Sequence, residues 1–128
     1  MKMRKVIETR RAPAAVGPYS QAVVVAGYVW VSGQIPLDPS SGRLVEGGIE
    51  KQMAQALRNL EAVLGEAGCG MSDVVRATLY LTDLGEFEAA NRVYGEFFEE
   101  APPARVCVEV SRLPREAAVE IDAVAALS

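Results

Sequence analysis

The chain has 128 residues, 50% of them hydrophobic, a net charge of −4 and no histidine. That length suits one domain around one core, expected here over residues 1–128, and the apolar content excludes disorder. The basic residues are scattered rather than striped and no apolar run reaches membrane-span length, so neither a nucleic-acid nor a membrane partner is expected.

Met1-Lys2-Met3-Arg4-Lys5 is basic but leads into Val6-Ile7-Glu8-Thr9-Arg10 instead of a signal-peptide apolar region, which predicts a cytoplasmic protein. Residues 3–8 read as a short strand. Residues 10–21, with Pro13, Gly17 and Pro18, read as a loop. Residues 22–26 and 28–32, joined at Gly27, read as a tight hairpin of two strands that are apolar on both faces. Gly33-Gln34-Ile35-Pro36 and Asp38-Pro39-Ser40-Ser41-Gly42 carry turn chemistry. Residues 48–67 form the clearest helix: Ile49, Met53, Ala56, Leu57, Leu60, Val63, Leu64 and Ala67 share a stripe, and Gly68 stops it. Residues 74–81 alternate, with Val75, Ala77, Leu79 and Leu81 on one face. Asp83 followed by Glu86 marks a second helix start, with Phe87, Ala90, Tyr94, Phe97 and Phe98 as its buried stripe. Pro102 and Pro103 end that helix and launch a strand.

The predicted order is β-β-β-α-β-α-β-β, an α+β domain with both helices on one sheet face. Strands apolar on both sides need cover on both sides. With no third helix, the second face is expected to be covered by another copy of the chain. A twisted sheet that tolerates exposed valine is the alternative.

The last two strands concentrate the chemistry. In residues 103–110, Val106, Val108 and Val110 point one way and Arg105, Cys107 and Glu109 the other. In residues 119–124, Val119, Ile121 and Ala123 oppose Glu120 and Asp122. The expectation is one apolar sheet face and one face bearing the guanidinium, the thiol and the carboxylates. An arginine on a rigid strand can grip a small carboxylate through two parallel hydrogen bonds, and a nearby carboxylate can move protons. The pattern alone leaves open a sheet-surface arginine paired with Glu109 or Glu120.

Other chemistries lack their residues. Cys69 and Cys107 lie far apart with no metal-ligand spacing, so no metal is expected. No histidine is present for a nucleophilic triad. No glycine pattern matches a phosphate or dinucleotide loop, so no cofactor is expected.

Four segments carry a family resemblance: Ala14-Ala15-Val16-Gly17-Pro18-Tyr19-Ser20-Gln21-Ala22, Ser32-Gly33-Gln34-Ile35-Pro36, Asn91-Arg92-Val93-Tyr94-Gly95-Glu96-Phe97-Phe98, and Pro103-Ala104-Arg105 through Arg112-Leu113-Pro114 to Val119-Glu120-Ile121. Through them the chain resembles the reactive intermediate deaminase family (RidA, or YjgF-type) along essentially its whole length. The resemblance implies a chorismate-mutase-like fold, a homotrimer and sites between subunits. It also implies hydrolysis of 2-imino acids and their enamine tautomers, such as 2-aminoacrylate and 2-iminobutanoate, to 2-oxo acids and ammonia without metal or organic cofactor. Arg105 would clamp the substrate carboxylate and Glu120 would position or activate water. Tyr19, Ser32, Gly33, Cys107 and Asn91 would line the substrate site. For Cys107 the residues leave two readings, a nucleophilic thiolate without a histidine to activate it or a pocket wall. A non-catalytic small-carboxylate-binding regulator or scaffold is the competing function. An RNA-cleaving role fits poorly with net charge −4.

Overall fold

The computed structural model describes residues 3–128. Met1 and Lys2, from the basic start of the chain, lie outside the described residues. The expected element order is observed: β1 (Arg4–Ile7), β2 (Ala22–Val25), β3 (Tyr28–Gln34), α1 (Gly48–Glu66), β4 (Val74–Leu81), α2 (Phe87–Phe97), β5 (Ala104–Glu109) and β6 (Val119–Ala126). The strands form one mixed sheet in the order β1-β2-β3-β6-β4-β5. Only β4 and β5, linked through α2, run parallel.

The β2–β3 hairpin closes through Ala26 and Gly27, whose φ angles are 52° and 82°. Two successive left-handed residues give the two-residue turn whose twist matches the strands, and glycine takes the second position without strain.

Both helices lie on one face. α1 packs on α2, β3 and β6. Its stripe of Met53, Ala56, Leu57, Leu60, Val63 and Leu64 is fully buried against Val29, Leu79, Leu81, Val119 and Ile121. Each such leucine or valine contributes about 1.5–3 kcal/mol on leaving water. The helix predicted from periodicity is therefore held mainly by its buried face.

Two local readings are corrected. β3 does not end before Gly33: it runs on to Gln34, with a bulge against β6 between Val31 and Gln34. A second bulge lies between Val74 and Arg76, so Val74 turns into the core at 5% exposure and Val75 turns out at 45%.

Asn59, which the apolar pattern did not reveal, is fully buried inside α1. Its Nδ2 donates to the carbonyls of Ile35 and Leu37, at 3.1 and 3.0 Å. It thereby ties the segment after β3 to the helix. Among the described residues the opposite sheet face carries no helix. There Trp30 and Val6 remain 51% and 57% exposed, and Tyr28 stands beside them.

Candidate functional site

The register of β5 decides where its chemistry points. Arg105 stands beside Ala77, Cys107 beside Leu79 and Glu109 beside Leu81. Partners in register share a face, so Arg105, Cys107 and Glu109 lie on the helix-covered side. Val106 and Val108 lie on the open side with Thr78 and Tyr80. Glu120 also stands beside Tyr80 and Asp122 beside Thr78, so both carboxylates are on the open side. The expectation of one polar face bearing the guanidinium, thiol and carboxylates is overturned. The valines of β5 looked like core residues, yet this edge strand turns its polar set toward α2.

Arg105 and Glu120 of one chain are thus on opposite faces, with β4 between their strands. The strand spacing and rise put their backbones roughly 14 Å apart.

The first half of the site is built by α2 and β5. Arg105 Nη1 donates to Asn91 Oδ1 at 2.7 Å. The guanidinium carbon lies 4.8 Å from the Tyr94 ring centroid and 5.5 Å from that of Phe87. Phe87, Asn91 and Tyr94 fall at helical spacings of four and three, which place them on one side of α2. The alternative pairing of Arg105 with Glu109 or Glu120 does not occur. Glu109 Oε1 instead accepts from the Leu84 amide at 2.9 Å, capping the turn before α2. Among the described residues the ion pairs are Arg92–Glu50 and Arg11–Glu66. Arg105 therefore keeps its charge and most of its donors free. Cys107, two residues on, is half-buried. Burial pushes its thiol up, with Arg105 opposing, which keeps it protonated and a poor nucleophile.

The second half surrounds Glu120. A cleft of about 480 Å³ is lined by Tyr19, Ser32, Gly33, Pro114, Arg115 and Glu120 among others. The β3 bulge lifts Ser32 and Gly33 out of the ladder beside this carboxylate. A Cβ on Gly33 would fall on the Glu120 carboxylate, so the close approach requires glycine. The Ser32 hydroxyl donates to the Ser20 carbonyl at 2.6 Å. It fastens the Tyr19 loop to β3 and retains acceptor capacity toward the cleft. Gln21, buried, supports the same loop: its side chain accepts from the Thr9 amide at 2.7 Å and donates to the Pro13 carbonyl at 2.8 Å. Tyr19 itself is half exposed, at 52%. Burial raises the Glu120 carboxyl above its ordinary value, and neighbouring Asp122 raises it further. Asp122 in turn accepts from the Tyr80 hydroxyl at 2.9 Å.

The predicted residues thus separate into two groups: Arg105, Asn91 and Cys107 on one face, and Tyr19, Ser32, Gly33 and Glu120 on the other. The sequence reading missed Phe87 and Tyr94 beside Arg105. Their helical spacing with Asn91 was the available signal, and it was absorbed into the core stripe. It also missed Arg115, which lines the Glu120 cleft. Arg115 and Glu116 both have φ of 61°, a left-handed pair that no local residue pattern announces.

A family model described as endoribonuclease L-PSP matches residues 9–127. The chain belongs to this family, the YjgF/RidA proteins. Among its RidA relatives, a mouse protein named 2-iminobutanoate/2-iminopropanoate deaminase is 49% identical, over 96% of this chain and 91% of its own. Protein DfrA of Myxococcus xanthus is 53% identical, over 95% of each chain. The solved structure of E. coli TdcF with bound serine superposes with a TM-score of 0.93 at 40% identity, covering 97% of this chain and 99% of that one. No helix among the described residues is long and apolar enough to cross a membrane.

Proposed function

We propose that this protein is a hydrolytic deaminase that converts 2-imino acids, reached from enamine tautomers such as 2-aminoacrylate, to 2-oxo acids and ammonia. The observation that carries the reading is Arg105. It is a guanidinium on a rigid strand, oriented by Asn91 and two rings, with no carboxylate partner among the described residues. A planar fork held open in this way suits a small carboxylate. The mouse relative named 2-iminobutanoate/2-iminopropanoate deaminase supports the substrate class.

In this mechanism the substrate carboxylate docks on Arg105. An enamine takes a proton at C3 and gives one up from nitrogen to become the imine. Water held by Glu120 adds to the imine carbon and gives up a proton. The carbinolamine collapses: its hydroxyl gives up a proton to form the C=O bond as the nitrogen takes one and the C–N bond breaks, releasing ammonia and a 2-oxo acid. Imines hydrolyse readily in water, so orientation and proton placement suffice and no metal or cofactor is invoked. The raised Glu120 carboxyl makes the ionised group a stronger proton acceptor than an ordinary carboxylate.

The active form we propose is a homotrimer with sites between subunits, one copy supplying Arg105 and its neighbour Glu120. Two observations support it. Arg105 and Glu120 of one chain face opposite ways, and the uncovered face exposes Trp30, Tyr28 and Val6 together. Tyr19, Ser32, Gly33 and the Cys107 backbone complete the substrate wall. The net charge of −4 supports a small-molecule substrate over RNA.

The test is a coupled assay in which a PLP-dependent threonine or serine dehydratase generates the imine. The protein should make 2-oxo acid appear faster than spontaneous hydrolysis. An unchanged rate would leave the chain a non-catalytic carboxylate binder.

A further inference from the structure

We infer that Tyr94 is a positioning residue for the carboxylate anchor: its ring, and not its hydroxyl, fixes the plane and direction of the Arg105 guanidinium. This deepens the deaminase reading and rests on it for the identity of the carboxylate.

Three observations lead there. The Arg105 guanidinium carbon lies 4.8 Å from the Tyr94 centroid, closer than to Phe87 at 5.5 Å. A cation over a ring face is attracted by the ring's quadrupole, more strongly when water is excluded. Tyr94 is itself immobilised: it is 5% exposed and its ring lies 4.6 Å from that of Phe98 at an interplanar angle of 38°. A buried ring is a fixed reference surface, whereas Arg105 itself is exposed. Finally, the Tyr94 hydroxyl is buried without a hydrogen-bond partner among the described residues. The fold therefore does not use the polar group that distinguishes tyrosine from phenylalanine.

Asn91 fixes one nitrogen of the fork by a hydrogen bond. One bond leaves the guanidinium free to rotate about it. The ring beside it supplies the second restraint. Carboxylate partners would fix the arginine too, but they would neutralise the charge that a substrate needs. Neutral and aromatic partners hold it and leave the charge available.

The experiment compares the native protein with Tyr94→Phe, Tyr94→Leu and Tyr94→Met. One measurement is the proton NMR shift of the Arg105 side chain without ligand. The other is the Kd for 2-oxobutanoate, with KM and kcat from the imine assay. Protons above a ring face are shifted upfield, so the native protein and Tyr94→Phe should show upfield Arg105 signals. The leucine and methionine variants should lose them. Tyr94→Phe should bind 2-oxobutanoate within about twofold of native, because only an unpartnered hydroxyl is removed. The apolar variants should bind roughly tenfold more weakly, with KM rising and kcat nearly unchanged. Folding is followed by circular dichroism; if both apolar variants unfold, Phe87→Leu decides the matter, since it should keep the upfield signals and their loss there would assign them to Phe87 instead. Absence of the upfield shift in the native protein, its persistence in Tyr94→Leu, or a large loss of binding in Tyr94→Phe would overturn the assignment. A native protein that shows the shift but does not hydrolyse imines would sink the deaminase reading and leave the positioning role standing.

Discussion

The two halves of the candidate site are made by different means. The Arg105 half sits on the helix-covered face, where Phe87, Asn91 and Tyr94 come from one side of α2 and packing sets their geometry. The Glu120 half sits on the open face, where a strand bulge and loop segments bring Ser32, Gly33 and Tyr19 together. The first half is complete within one chain, with an anchor that is charged and unpaired. The second is a carboxylate whose ionisation burial already disfavours, on a face that still exposes Trp30 and Tyr28. Under the proposed function, substrate recognition would be built into one chain, while proton handling would depend on what covers the open sheet.

The largest effect should come from the recognition half. Arg105→Ala should abolish imine hydrolysis with fold and assembly intact, because the charge-assisted anchor is worth roughly 1.5–3 kcal/mol before any loss of alignment. Arg105→Lys should fail nearly as badly, since a point charge cannot reproduce the fork. Wild-type turnover of 2-iminobutanoate by the alanine variant would remove the anchor from the account.

Glu120→Gln should still bind 2-oxobutanoate but lose on the order of 100-fold in kcat, the contribution of a positioned base. Cys107→Ser, at a thiol that burial keeps protonated, should be far milder. The reverse order of defects would establish thiol catalysis. Stability should move the other way. The Glu120 carboxyl is raised in the folded chain, so its favourable contribution is full below the unfolded value and fades as pH rises through the folded one. Above the folded value that contribution is lost, and there Glu120→Gln should melt above the parent protein.

Gly33→Ala probes how closely the bulge holds that carboxylate. The added Cβ lands on Glu120 and must displace it. A displacement of that kind should lower kcat by roughly tenfold, with the Kd for 2-oxobutanoate nearly unchanged.

The smallest effect should be a shift in pH dependence. Glu120 must be ionised to accept a proton, so activity should fall on the acid side as pH drops through its raised value. Asp122→Asn removes the neighbouring charge while leaving an oxygen to accept from Tyr80. The acid limb should move to lower pH, and an unmoved limb would show that Asp122 does not act on Glu120.

The element order and the α1 stripe were legible because periods of 3.6 and 2 report burial directly. The separation of Arg105 from Glu120 was not. Alternation tells which residues of a strand share a face, but not which face meets the helices. β5 offers valine on one side and Arg-Cys-Glu on the other, and only its parallel register with β4 turns the polar set toward α2. Gly33 entered the candidate site through the family resemblance. Its physical reason, contact with a side chain 87 positions later, is a tertiary fact. Tyr94 was visible in the stripe but looked like any buried aromatic.

The central claim is that Arg105 and Glu120 act on one substrate from different copies of the chain. Co-expression of Arg105→Ala with Glu120→Gln tests it most directly, using tags that allow mixed assemblies to be purified. Each variant alone should be inactive. If every site takes Arg105 from one copy and Glu120 from its neighbour, each purified mixed trimer holds one intact site of three and should show about one third of native activity. Mixed assemblies as inactive as their parents would contradict the account and place both residues of each site in a single chain.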